Sequence, residues 1–167
     1  TRLLIRVVEE LKAQQEGKPL PPEPLNSIRI ELPMPVQLPD DYVPEVRLRL
    51  QIYRRLAELT SVLEINEMEQ ELGDRFGPLP AGARNLMYQL RLKVLAREAG
   101  IESIAVEDGS IVLRAAQHGL PDPAVLQQIL AEEDSIGRQC IRMPVTPSWR
   151  ERLTKTLRAI AQRAIDG

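Results

Sequence analysis

IESIAVEDGSIVL, Ile101 to Leu113, is the stretch that decides the fold. Two apolar-leaning runs, Ile101 to Val106 and Ile111 to Leu113, flank Asp108-Gly109. A type I′ turn needs positive φ at both central residues, which Asp-Gly tolerates, and it matches the twist of paired strands. The stretch is therefore predicted to be a β-hairpin. Helical patterns lie on both sides of it. Before it, Pro80 starts a helix with Leu86, Leu90 and Val94 on one face, and Gly100 ends it. After it, Asp122-Pro123 opens a helix carrying Val125, Leu126, Ile129 and Leu130. Gln139 to Met143 reads as another short strand, and a last helix after Ser148 carries Trp149, Leu153, Leu157, Ile160 and Ala164.

Further toward the N-terminus, Ile28, Ile30 and Leu32 alternate with Arg29 and Glu31, the period of a half-buried strand. Pro33, Pro35 and Pro39 then hold the chain extended. Asp40 or Asp41 is placed to cap the next helix, with Pro44 in its first turn and Val46, Leu50, Tyr53 and Ala57 as its buried stripe. Ser61 and Glu64 form a capping box for a helix to about Arg75, whose inner face is Ile65, Met68, Leu72 and Phe76. Gly77 and Pro78 stop it. Helices and strands mix without a regular βαβ rhythm. The predicted fold is α+β: several helices packed on a small mixed or antiparallel sheet, one compact domain with an N-terminal helical arm. That arm is an amphipathic helix (Leu3, Leu4, Val7, Val8, Leu11) ended by Gly17. Pro19, Pro21, Pro22 and Pro24 make an extended linker after it, so the expected division is 1–25 arm and linker, 26–167 domain. A chain opening inside an amphipathic helix, without a start methionine, reads as a piece of something longer.

Composition narrows the function. Aromatics are 3% of the chain, so the core must be built from Leu, Ile, Val and Ala. A net charge of −2 gives no global positive field for nucleic acid. No apolar run approaches the roughly 20 residues that span a bilayer. One cysteine, Cys140, supports neither an internal disulfide nor a Cys-based zinc site, and fits a reducing cytoplasm. Neither a P-loop nor a G-x-G-x-x-G fingerprint occurs, so no nucleotide cofactor is expected. His118, the single histidine, falls in a loop before Pro121 and reads as solvated; Cys140 reads as a small core residue. Tyr53 and Trp149 read as packing residues. Glu132-Glu133-Asp134 reads as a solvated helix end. No catalytic residue, metal set or small-molecule substrate is expected.

Glu67, Glu71 and Asp74 recur at i, i+4 and i+7 on one helix face. Such a stripe is commonly just a solvated face. The other reading is a docking surface for an arginine-bearing partner, since guanidinium forks match carboxylates. Asp74 stands near a helix C-terminus, where the dipole disfavours it.

Two strings carry a resemblance. One runs Leu32-Pro33-Met34-Pro35, Leu38-Pro39-Asp40-Asp41-Tyr42-Val43-Pro44, then Arg49-Leu50-Gln51-Ile52-Tyr53-Arg54-Arg55-Leu56. The other is Glu71-Leu72-Gly73-Asp74-Arg75-Phe76-Gly77-Pro78-Leu79-Pro80. Over residues 28 to 115 the chain resembles the C-terminal domain of bacterial transcription-repair coupling factors. The resemblance implies a non-catalytic regulatory module of an ATP-driven DNA translocase that displaces stalled RNA polymerase and recruits UvrA for excision repair. In that family the end domain docks on the protein's own UvrB-like module and masks its UvrA-binding surface. The family's acidic docking positions match Glu71 and Asp74, and helical spacing adds Glu67. Relatives often carry a larger side chain where Gly73 stands. A competing expectation is a DNA- or polymerase-contacting module using Arg47, Arg54, Arg55 and Arg91.

Overall fold

A computed structural model describes residues 25–116 and 119–166 of the chain. The N-terminal helix, the proline linker and His118 lie outside the described residues. A 3-10 turn at Leu25–Ser27 leads into strand β1 (Arg29–Glu31). Helices α1 (Val46–Ala57), α2 (Val62–Phe76) and α3 (Ala81–Ala99) follow. The predicted hairpin is β2 (Ile101–Glu107) and β3 (Ser110–Ala115). Then come α4 (Pro123–Ile129), β4 (Ser135–Ile136), β5 (Cys140–Pro144) and α5 (Trp149–Asp166). The strands form one sheet in the order β1-β2-β3-β5-β4, with β1 parallel to β2 and the other pairings antiparallel. Among the described residues, five helices and a five-stranded mixed sheet make this an α+β fold.

The hairpin turn has the geometry its residues imply: φ is 51° at Asp108 and 76° at Gly109. Ile101 and Ile104 are three residues apart, an odd spacing for one face of a strand. A register shift between Ile101 and Ser103 resolves it, because a bulge inserts one residue and both isoleucines reach the core.

Helix α3 is the spine. Leu92, Ala96 and Ala99 join the sheet, α4 and α5 in one apolar cluster. Ala83, Met87, Leu90 and Val94 join α1, α2, Leu38 and Val43 in a second cluster. α5 packs along α3, where the Tyr88 hydroxyl meets Thr154 Oγ1 at 2.9 Å and donates to the Arg150 carbonyl at 3.1 Å. Asn85, buried on α3, donates to the Pro35 carbonyl at 2.9 Å, and the Leu38 amide donates to Tyr53 Oη at 2.7 Å. These bonds strap the proline-rich segment across the helices.

Four expectations need correction. Helix α1 starts one turn later than expected: Glu45 stands at its N-cap without a side-chain cap, Pro44 precedes it, and Asp40 pairs with Arg49 at 3.3 Å. Its buried face is also rotated. Ile52 and Leu56 are buried, with Leu48, Tyr53 and Leu59 packed around them, whereas Val46, Leu50 and Ala57 are exposed. Turning Leu48, Ile52 and Leu56 inward brings three large aliphatic side chains to the core, at about 0.8 kcal/mol per buried methylene, and keeps Tyr53 packed at its edge. In the Glu132-Glu133-Asp134 run, Glu132 and Glu133 are exposed as expected, but Asp134 is not solvated. Asp134 pairs with Arg152 of α5 at 2.6 Å with its side chain only 2% exposed, and Glu133 reaches the same arginine at 3.4 Å from the surface. Cys140 is half-buried, outside both core clusters, with its sulfur against Gly137.

Candidate docking surface

Helix α2 carries the acidic stripe, and its frame is set locally. Ser61 Oγ accepts from the Glu64 amide at 3.2 Å. Glu64 returns the bond one residue earlier than a standard capping box, accepting from the Thr60 amide at 2.9 Å. At the other end Gly77, with φ of 93°, closes the helix on the Gly73 carbonyl. Ile65, Met68 and Leu72 are fully buried, which turns Leu63, Glu67, Gln70 and Asp74 outward.

The three carboxylates are not equivalent. Glu71 is not part of an unpaired stripe. Arg55 of α1 reaches it with both terminal nitrogens, at 2.5 and 3.1 Å, and Arg75 stands 3.8 Å away. The Arg55 hydrogen bond, opposed by desolvation, holds the Glu71 carboxyl below the usual carboxylate range. Glu67 and Asp74 are exposed, without an ion-pair partner among the described residues. Arg75 lies over the Phe76 ring, 5.1 Å from its centroid, and so turns toward Glu71 and the ring. Sequence spacing could not find Arg55, because it stands sixteen residues before Glu71 and meets it only when α1 packs beside α2.

The four arginines of the competing expectation separate. Arg55 is held by Glu71, and Arg91 by Glu69 and, at 2.8 Å, by Asn66. Arg47 and Arg54 have no ion-pair partner among the described residues. On the outer sheet face Arg114 and Arg142 share Glu107, at 2.8 and 4.0 Å. Among the described residues no group of His, Cys, Asp and Glu converges as a metal set, and no helix is long and apolar enough to cross a membrane.

The strings that carried the resemblance meet in space. The Tyr42 hydroxyl lies 3.1 Å from the Leu72 carbonyl and 2.9 Å from that of Gly77, and its ring packs on Phe76. Comparison with known proteins gives a family model described as the TRCF domain, matching residues 32–126. The chain belongs to the TRCF domain family. It is 36% identical over 131 residues to the transcription-repair-coupling factor of Escherichia coli (strain K12), a match covering 78% of this chain and 11% of that protein. It is 42% identical over 97 residues to that of Mycobacterium bovis, covering 58% of this chain and 8% of the relative. The chain thus spans about a tenth of the curated relatives it matches. A crystal structure of the C-terminal domain of a transcription-repair coupling factor superposes with a TM-score of 0.69 at 16% identity, over 84% of this chain and 92% of that one, which shows a shared fold.

Proposed function

We propose that this chain is the C-terminal regulatory domain of a transcription-repair coupling factor, acting by binding and not by catalysis. Residues 26–167 form the domain, and 1–25 are the arm and linker from an upstream motor. The α2 acidic face docks on the UvrB-like module of the same protein and masks the surface that UvrA needs. The restraint holds until the translocase, working on DNA in the cytoplasm, engages stalled RNA polymerase. The observation that supports this most directly is the pair of unpartnered carboxylates, Glu67 and Asp74, on a helix braced by a buried stripe and a cap at each end. Such a surface accepts guanidinium forks with little reorganisation. Glu71 contributes differently from the other two: its charge is already shared with Arg55, so an incoming cation gains less from it.

The test is titration of the chain against the UvrB-like module, as wild type, Glu67→Gln/Asp74→Asn and Glu71→Gln. The double variant is expected to bind about tenfold more weakly, a loss of about 1.4 kcal/mol, and Glu71→Gln less so. Saturable binding that the double variant leaves unchanged would overturn the acidic face as the docking site.

A further inference from the structure

The most exposed large apolar side chains of the described residues are Leu63 at 68%, Val46 at 58% and Leu50 at 52%. They fall on two helix strips of opposite charge. On α1, Val46 and Leu50 line a shallow groove of about 540 Å³ together with Arg47 and Arg54, and no acid lines it. On α2, Leu63 continues the stripe of Glu67 and Asp74, at i, i+4 and i+11. Both strips border the Arg55–Glu71 pair, since Arg54 adjoins Arg55 while Glu67 and Asp74 flank Glu71 by four and three residues.

The charge spacings match. Arg47 and Arg54 are seven residues apart, and so are Glu67 and Asp74. Seven residues are two turns, about 10.5 Å along each helix at 1.5 Å per residue. An α1 strip laid on an α2 stripe therefore brings both arginines to both acids at once, with apolar side chains beside them. A phosphate backbone would match the arginines but would leave Val46 and Leu50 uncovered. Among the described residues, α2 is a helix face with unpaired acids at the matching spacing and an exposed leucine. Within one chain Arg47, Arg54, Glu67 and Asp74 are exposed and have no ion-pair partner among the described residues, so the two strips do not meet each other and the match is made between molecules.

We propose that two copies of this chain associate about a two-fold axis, the α1 strip of each seated on the α2 stripe of the other. The contact is isologous, so every ion pair and apolar contact is made twice. It is small, in the class of weak, transient interfaces. It uses the carboxylates of the docking face but does not rest on that reading; if both hold, the associated form is barred from docking.

The test is sedimentation velocity of wild type, Arg47→Glu/Arg54→Glu and Glu67→Arg/Asp74→Arg, alone and mixed in equal amounts, from about 10 µM to about 1 mM, the range suited to a weak interface. All four positions are exposed, and circular dichroism checks that each variant is folded. Wild type is expected to move from monomer toward dimer. Each variant alone faces like charge with like and loses association at least tenfold; the mixture restores it, because both contacts are again opposite in sign. The proposal is overturned if wild type stays monomeric throughout, if either variant self-associates like wild type, or if the mixture stays monomeric. With a monomeric wild type, a fluorescent polyglutamate peptide or a short DNA duplex that binds it but not Arg47→Glu/Arg54→Glu would reassign the α1 strip to another acidic protein or to nucleic acid.

Discussion

Replacing Tyr42 by Phe removes one oxygen from the junction between the proline-rich strap and the end of the docking helix. That hydroxyl serves the Leu72 and Gly77 carbonyls at 3.1 and 2.9 Å, while the ring keeps its contact with Phe76. The Leu72 carbonyl lies within the helix and still has the amide four residues on. The change therefore costs about one net hydrogen bond, ~1 kcal/mol, or about 3 °C in Tm for a domain of this size. Urea unfolding at neutral pH measures it, and amide exchange at Phe76 and Gly77 should quicken. The alkaline limb gives a second check. Burial raises the Tyr42 phenol above its ordinary value. A group whose folded pKa is raised stabilises below its unfolded pKa and loses that contribution as pH rises through the folded one. The gap between wild type and Tyr42→Phe should thus be constant near neutrality and shrink above about pH 10. Lys93, lowered by burial, and Tyr88, raised mainly by burial, titrate in both proteins and cancel in the difference. Equal urea midpoints, or a gap that widens with alkali, would refute the assignment of the hydroxyl to the helix end.

Gly73→Ala should stabilise the chain by about 1 kcal/mol, the helix-propensity difference. A Cβ there meets only Leu79 Cδ1, at an ordinary 3.9 Å, and an unchanged or lower urea midpoint would contradict this. Asp134→Ala should destabilise by about 2–3 kcal/mol, less than a fully buried pair because Glu133 still faces Arg152. It also strips the Ala131 amide of its acceptor, so Asp134→Asn should cost less in the same titration.

Much of the fold was legible because its signals are local. Asp108-Gly109 sets a turn by its own φ preference, Ser61 caps the helix it precedes, and the Ile65/Met68/Leu72 stripe repeats at the helical period. The ordered strings around Tyr42 and Phe76 carried the family. The face of α1 was not legible. Its apolar residues support two stripes, and only the arrival of α2, α3 and the strap selects the one with Ile52 and Leu56. The partners of Asp134 were equally hidden, because Arg152 lies eighteen residues away and reaches it only through the packing of α5.

The sequence by itself determined that three acids share one face of a helix, because side-chain direction along a helix follows from spacing alone. Which of those acids is open to a partner was decided by tertiary structure. Packing of α1 beside α2 brings Arg55 to Glu71 and leaves Glu67 and Asp74 in solvent, and the same packing leaves Val46 and Leu50 exposed beside Arg47 and Arg54. Ion pairs across elements depend on the distance between chain segments far apart in sequence, and only the fold sets that distance.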